Sequence, residues 1–128
     1  ETLPTGEVNV YYPNDGIYVH TNHLLGEKTF NYESEDNDYK QTSSMPRFLA
    51  LQSSLSNIDI SENTFNRISR IISSHKNKPY SPCRHPEGEI RGQTLATAVF
   101  DSNRNSMMIY KGNPCKSFPN EKFQEFKF

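Results

Sequence analysis

The stretch His20-Thr21-Asn22-His23 carries the side chains of this sequence that are best suited to chemistry. It follows an apolar run where a β-strand is predicted to end, and the Asn22 amide presents two N–H donors on an uncharged group. Such donors stabilise the charge of a tetrahedral intermediate, as in an oxyanion hole. Arg91 could reach the same sheet rim and bind a substrate carboxylate or lower the pKa of a nucleophile. Asn and Arg are also ordinary surface residues at strand ends, so their types alone leave the role open.

The histidines raise the alternative of a metal site. His20 and His23 are three residues apart, a spacing that places two side chains on opposite faces of a strand. The other two histidines, His75 and His85, lie in a different region, and the cysteines do not form a Cys-x-x-Cys pair. We therefore expect no metal and no cofactor, because hydrogen bonds to nearby backbone are the simpler role for these imidazoles.

The two cysteines, Cys83 and Cys115, offer a disulfide or a catalytic thiol as further alternatives. A single pair without short spacing permits a disulfide but does not require one, and free buried thiols are the simpler interpretation. Cys83 precedes Arg84 and His85, which could lower the pKa of its thiol. Neighbouring residues rarely point in the same direction, however, and catalytic partners usually come from distant sequence. We therefore predict a structural thiol at Cys83.

Length and charge restrict the class of protein. The chain has 128 residues, which is one domain's length, and a formal net charge of -1. Without a basic excess, a nucleic-acid surface is not expected, and no apolar run approaches the ~20 residues of a membrane span. No targeting signal is visible, so a cytoplasmic location is the default. We expect Glu1 to result from a cut rather than from translation initiation.

Alternating apolar residues predict two β-hairpins. The first joins residues 6–12 to residues 17–20 through a Pro-Asn-Asp-Gly turn. The second joins residues 94–101 to residues 106–110 through a polar turn. These hairpins lie on either side of the helical part of the sequence.

Apolar residues at helical spacing predict two helices between the hairpins. One begins near Pro46, and Ser61 is expected to cap the other. Residues 31–44 are expected to form a solvated acidic loop, residues 75–93 an irregular connection, and residues 118–128 an edge segment. This order indicates an α+β fold with a helical pair on one face of an antiparallel sheet.

The predicted strand at residues 94–100 carries apolar side chains on both faces. A sheet that is buried on both sides needs another layer, and this sequence has no further element to supply it. The mean hydropathy of -0.83 is also low for a self-sufficient core. We therefore expect residues 1–128 to be a single domain that forms part of a larger protein.

Four motifs, taken in order, resemble the carboxyl-terminal half of the isopenicillin N acyltransferase family. They are Val19-His20-Thr21-Asn22-His23, Pro79-Tyr80-Ser81-Pro82-Cys83-Arg84, Arg91-Gly92-Gln93-Thr94-Leu95 and Gly112-Asn113-Pro114. The first and third are the most specific, and the resemblance covers nearly the whole chain. That family belongs to the N-terminal-nucleophile (Ntn) hydrolases and is related to the choloylglycine hydrolases.

The resemblance implies an αββα sandwich, of which this chain would supply the carboxyl-terminal part. Family members cleave or transfer amide-linked acyl groups with an N-terminal Cys that autocatalytic cleavage exposes. By the motif match, Asn22 would be the oxyanion-hole donor and Arg91 the cleft arginine, while His20, Thr21 and His23 would position the rim and bind substrate. The implied partners are the missing amino-terminal half and a small acyl-amide substrate, with acyl-coenzyme A as a candidate acyl donor.

The sequence departs from this family at the nucleophile. Glu1 is not a Cys, and neither Cys83 nor Cys115 matches the nucleophile's place in the motif order. We therefore expect the chain alone to be inactive. The alternative is a non-catalytic binding or assembly module derived from the same fold, which could form a homodimer through its apolar sheet face.

Overall fold

The computed structural model describes residues 2, 5–13, 17–23, 25–26, 40–57, 59, 61–120 and 122–128. Its elements, in chain order, are a π-helical turn (Lys40–Ser44), α1 (Met45–Leu55), α2 (Thr64–Ile72), β1 (Ala96–Asp101), β2 (Ser106–Lys111), α3 (Pro114–Ser117) and β3 (Phe123–Lys127). The two longer helices precede an antiparallel sheet, and only the short helix α3 lies between two of its strands. The predicted α+β class is therefore confirmed.

The three strands form one antiparallel sheet in the order β1-β2-β3. The β1–β2 hairpin closes where Asp101 pairs with Ser106, and Tyr110 of β2 pairs with Thr97 on one side and Phe123 on the other. Asn105 has a φ of 48° in the connecting turn, a left-handed conformation that Asn tolerates better than most residues. The second predicted hairpin and the edge segment in the tail are both confirmed.

The core is an aromatic cluster around Tyr110, which is only 2% exposed. Its ring centroid lies 4.4 Å from that of Phe118, 5.3 Å from that of Phe123 and 6.1 Å from that of Phe65. Phe65 and Phe118 also meet edge to face at 5.7 Å, a favourable aromatic geometry. The cluster therefore holds α2 and the end of α3 against the same face of the sheet.

The N-terminus of α2 is capped by Asn63 and not by Ser61, so the predicted cap was wrong. The Asn63 side chain accepts a hydrogen bond of 2.9 Å from the backbone N–H of Phe65. Ser61 instead donates its hydroxyl to Asp59 at 2.6 Å in the preceding turn. Two capping residues lie within three positions here, and local turn formation decided between them.

The helix α1 begins with Pro46 in its first turn, as predicted, and contacts α2. Its apolar stripe faces the segment before it rather than a strand of the sheet. Phe48 meets the His23 ring edge to face with centroids 5.3 Å apart. Leu51 and Leu55 line a groove together with residues 17–20. The helix therefore positions the segment that contains the candidate site.

The first predicted hairpin does not form a strand ladder in the described residues. Tyr11 and Tyr18 stack with ring centroids 5.7 Å apart, so the two segments lie side by side. Among the described residues, Thr2 and Val8 form an isolated bridge and Ile17 occupies a single bridge position, and Val8 is exposed. A two-stranded hairpin is marginally stable unless something covers its apolar face. The turn residues 14–16 lie outside the described part of the chain.

The prediction of a solvated loop at residues 31–44 was wrong for its last residues, 40–44. Residues 31–39 lie outside the described part of the chain, but residues 40–44 form the π-helical turn that leads into α1. Ser43 and Ser44 are 0% and 1% exposed, respectively. The predicted irregular connection at residues 75–93 is confirmed, since it contains no helix and only the isolated bridge between Glu87 and Ile90.

The sheet face opposite the aromatic cluster is open and apolar. Ala96, Ala98 and Phe100 of β1 are exposed there, and the Phe100 side chain is 70% exposed. Phe126 of the edge strand, which pairs with Met107, is exposed on the same face. The apolar side chains on both faces of the predicted strand at residues 94–100 had indicated that another layer covers this face of the sheet. None of the helices that the structure describes is long and apolar enough to cross a membrane.

We expect Tyr110→Ala to destabilise the chain by about 3–5 kcal/mol, as other buried aromatic truncations do, because three rings lose their common contact. Tyr12→Ala is the control, since Tyr12 is 83% exposed and should change the free energy of unfolding by less than about 0.5 kcal/mol. Urea unfolding followed by circular dichroism measures both. Equal losses in the two variants would contradict the assignment of the core.

Candidate functional site

Ser44, the residue before α1, organises the candidate site. Its hydroxyl is at the N-cap but makes no cap hydrogen bond to the helix. Pro46 occupies one of the two positions that an N-cap side chain normally reaches, and Pro has no N–H to donate. The Ser44 hydroxyl is therefore available to the segment that contains Asn22.

Three consecutive residues converge on Ser44. Thr21 donates its hydroxyl to the Ser44 carbonyl at 3.1 Å, and the backbone N–H of Asn22 donates to the Ser44 Oγ at 2.9 Å. The Nδ1 atom of His23 lies 2.9 Å from the same Oγ. His23 is buried, with Phe48 against its ring. Thr21 and His23 therefore hold the segment in position from the protein side, and their role at the rim of an active site stays a prediction.

The Asn22 side chain is exposed and oriented by Arg47. The guanidinium NH2 of Arg47 donates to the Asn22 Oδ1 at 2.7 Å, and its Nε donates to the Ser43 carbonyl at 3.2 Å. A charge-assisted bond to Oδ1 settles which atom of the amide is the acceptor. Both N–H donors of Asn22 are then on Nδ2. The sequence did not single out Arg47, because an arginine in the first turn of a predicted helix is usually a solvated surface residue.

A second arginine, Arg84, reaches the same region from the irregular connection. Its NH2 donates to the Ser43 Oγ at 2.6 Å, and its guanidinium carbon lies 5.3 Å from the centre of the Tyr80 ring. Gly92 packs against this side chain, since a Cβ there would lie 3.2 Å from the Arg84 NH1. The pair Ser43–Ser44 therefore connects Arg84 to the Asn22 segment.

The other two predicted residues lie at the surface. Arg91 is exposed, and within the described residues no hydrogen bond or ion pair joins it to Asn22 or Arg84. The convergence of Asn22 and Arg91 therefore stays a prediction. His20 is exposed and lines the groove between α1 and α2. A molecule bound in this groove could therefore contact His20, as predicted for the substrate.

That groove has a volume of about 680 Å³, which is within the usual range for small-molecule sites. Its walls are mainly aliphatic, and it begins two residues before Asn22. The lining residues are Ile17, Tyr18, Val19, His20, Leu51, Leu55, Thr64, Arg67, Ile68, Ile71 and Ile72. An apolar substituent could be held there while its polar end approaches Asn22.

The structure also brings together four residues that the sequence left apart, His75, Cys83, His85 and Cys115. We call them the thiol–imidazole cluster. The Nε2 atom of His85 lies 3.1 Å from the Nε2 of His75, 3.5 Å from the Cys83 Sγ and 3.3 Å from the Cys115 Sγ. The only local signal was the Cys-x-His spacing at residues 83–85, because the other two members are distant in sequence.

The protonation of this cluster follows from its burial. Burial raises the pKa of the Cys83 thiol above its ordinary value. Burial, followed by the charges of His85 and Lys78, lowers the pKa of His75. Both cysteines are free, and Cys83 is fully buried, in agreement with the interpretation of Cys83 as a structural thiol. A thiol that is held protonated is a weak nucleophile.

Comparison with known proteins agrees with the resemblance of the four motifs. No curated protein matches the sequence. The model of the family described as "Acyl-coenzyme A:6-aminopenicillanic acid acyl-transferase" matches residues 2–116, which include every motif and every residue of the candidate site. This match supports an acyltransferase-type function. The chain therefore belongs to the acyl-coenzyme A:6-aminopenicillanic acid acyl-transferase family.

Proposed function

We propose that this chain supplies the oxyanion-hole side of an Ntn-type active site that cleaves or transfers amide-linked acyl groups. The observation that carries the proposal is the hydrogen bond from Arg47 to the Asn22 Oδ1, which leaves both N–H donors on an exposed Nδ2. The backbone of Asn22 is held at the same time by Ser44. A donor that is held before the reaction needs no reorganisation when charge develops on the substrate oxygen, and this is how oxyanion holes lower the barrier.

The acyl part of the substrate would occupy the groove between α1 and α2. The groove is aliphatic and adjoins His20, so an acyl chain could lie along it with its carbonyl carbon near Asn22. Acyl-coenzyme A and a small linear amide are the candidate substrates, since both present an acyl carbonyl at the end of such a chain. His20 would contact the substrate, and Thr21 and His23 would act through the position of the rim.

The nucleophile is proposed to lie outside these 128 residues, in the amino-terminal portion of the parent enzyme. Both cysteines of this chain belong to the thiol–imidazole cluster, and burial raises the pKa of Cys83. An Ntn nucleophile is instead the first residue of its chain and uses its own α-amino group as the base. That portion would also cover the open sheet face at Phe100 and complete an αββα sandwich.

The second candidate is a non-catalytic binding or assembly module of the same fold. It would need a second copy of the chain to cover the sheet face at Phe100 in a homodimer, whereas a face left open favours the first candidate. Such a module would not need the Asn22 amide to be oriented. Activity measurements on the parent protein therefore separate the two candidates.

In the natural enzyme we expect Asn22→Ala to lower kcat by about 10²–10³-fold with little change in KM, because an oxyanion donor acts mainly in the transition state. Steady-state hydrolysis of a series of acyl amides measures this. Asn57→Ala is the matched control, since Asn57 is an exposed amide at the end of α1. A loss in KM alone, or the same loss in both variants, would contradict the role of Asn22.

The motif match proposes Arg91 as the cleft arginine, whereas the described contacts favour Arg84. We expect Arg84→Ala to lower kcat/KM by roughly 10- to 100-fold, the range for loss of a charge-assisted hydrogen bond. Arg91→Ala should have the smaller effect, because Arg91 is exposed. The reverse order in the same assay would assign the role to Arg91.

The location of the nucleophile is tested on the natural gene product. We expect its active form to contain a free amino-terminal Cys on a chain or segment other than these 128 residues, and the purified 128-residue chain to show no amide turnover. Intact mass, amino-terminal sequencing and the same amide assay provide the measurements. Turnover by the isolated chain that Asn22→Ala abolishes would overturn this assignment, because the chain would then contain its own nucleophile.

A further inference from the structure

The thiol–imidazole cluster has more polar neighbours than hydrogen bonds can explain. Three atoms lie within 3.5 Å of the His85 Nε2, namely the His75 Nε2, the Cys83 Sγ and the Cys115 Sγ. An imidazole nitrogen has one in-plane position and can either donate or accept there, not both. A single well-directed hydrogen bond therefore accounts for one of the three contacts, and a three-centre bond for two. A common centre that all four atoms face accounts for all of them.

The distances agree with a tetrahedral metal site. Zn–N bonds of about 2.0–2.1 Å and Zn–S bonds of about 2.3 Å place ligand atoms roughly 3.3–3.8 Å apart at the tetrahedral angle. The three contacts of the His85 Nε2 are 3.1, 3.3 and 3.5 Å. All four ligand atoms lie within 4.8 Å of one another. The shortest pair, at 3.1 Å, needs to shift by a few tenths of an ångström, and the most distant pair, at up to 4.8 Å, must approach by about 1 Å to reach this range.

We propose that His75, Cys83, His85 and Cys115 form a structural zinc site. This proposal replaces the expectation of no metal, because packing brings together ligands that lie apart in the sequence. Two thiolates and two imidazoles are ligands that Zn²⁺ prefers, whereas Mg²⁺ and Ca²⁺ prefer oxygen. Four protein ligands fill a tetrahedral shell and leave no position for substrate, so the site is structural rather than catalytic. This inference concerns residues that the proposed function does not use, and it does not depend on that function.

The ligands come from three separate segments that the fold already holds together. His75 follows the end of α2, Cys83 and His85 lie in the irregular connection, and Cys115 lies in α3. The Cys83 N–H donates to the Ser74 carbonyl at 3.0 Å. The Asn113 side-chain amide donates to the Arg84 carbonyl at 2.5 Å. These bonds bring the ligands into place before the ion binds, and the ion would then link the connection to both helices.

Two other uses of the cluster explain less of its geometry. A disulfide between Cys83 and Cys115 would need neither imidazole. A catalytic pair of Cys83 and His85 would need neither His75 nor Cys115. The contact between the two histidine Nε2 atoms at 3.1 Å is the feature that neither alternative requires.

The test uses Co²⁺ and Zn²⁺ as probes on the reduced, metal-free 128-residue chain, with its fold checked by circular dichroism. We expect one Co²⁺ to bind per chain, with the visible bands of a tetrahedral ion and a thiolate-to-cobalt charge-transfer band, and Zn²⁺ to displace it in equal stoichiometry. The melting temperature should rise when Zn²⁺ is added, because the folded chain binds it more tightly than the unfolded one. Absence of the charge-transfer band in a folded chain would overturn the proposal.

Two variants and one control sharpen the result. His75→Ala removes a ligand at the edge of the cluster, and we expect it to weaken Co²⁺ binding by about tenfold or more and to change the visible bands. A Cys83→Ser and Cys115→Ser double variant should lose the charge-transfer band. His20→Ala removes an exposed histidine elsewhere and should bind as the unchanged chain does. Equal binding by His75→Ala and His20→Ala would overturn the proposal.

The metal content of the natural gene product, isolated without added metal or chelator, gives an independent readout. We expect elemental analysis by inductively coupled plasma mass spectrometry to find about one zinc ion per chain. A product that is metal-free and two hydrogen atoms lighter, with Cys83 and Cys115 found in one linked peptide, would show a disulfide and overturn the proposal. Neither measurement requires the enzyme to turn over a substrate.

Discussion

The candidate site depends on the buried serine pair Ser43–Ser44 at the start of α1. The hydroxyl and carbonyl of Ser44 form hydrogen bonds with residues 21–23. The Ser43 carbonyl accepts a hydrogen bond from Arg47, and the Ser43 hydroxyl accepts one from Arg84. Most of these hydrogen bonds cross between segments that are otherwise irregular. Because buried hydroxyls and carbonyls are costly to leave unpaired, the pair forces the loop, the helix and the connection into one arrangement. The exposed Asn22 amide is a consequence of that arrangement.

The rest of the described chain is organised around a small core and large open surfaces. The rings around Tyr110 join α2, α3 and the sheet on one face. The other face exposes Phe100, and residues 8–12 expose further apolar side chains. Apolar surface of this extent is typical of proteins that bury it against a partner. The sheet face at Phe100 is the part of this surface that the proposed amino-terminal portion would cover.

The elements that could be predicted from sequence are those with local causes. Both helices, the second hairpin and the final edge strand follow from periodicity, turn residues and Pro46, and all of them form. The first hairpin had an equally good pattern but no strand ladder in the described residues, because a pattern cannot supply the layer that must cover Val8 and its neighbours. Residues 31–44 were predicted to be solvated because the segment as a whole is acidic. Ser43 and Ser44 at its end are nevertheless buried, which the average composition of the segment does not indicate.

The sequence by itself determined the α+β class, the family and the chemical type of the candidate residues, because these depend on residue identity and on short spacings. Asn22 could be singled out as an amide donor from its residue type and its place after an apolar run. Only the tertiary structure decided that Arg47 orients this amide, that Arg84 reaches Ser43, and that two histidines and two cysteines meet in one cluster. The hydrogen bonds of Arg47 and Arg84 join residues that are 25 and 41 positions apart, and the contact between His85 and Cys115 joins residues 30 positions apart. Contacts at such separations are set by how the elements pack, which local periodicity does not encode.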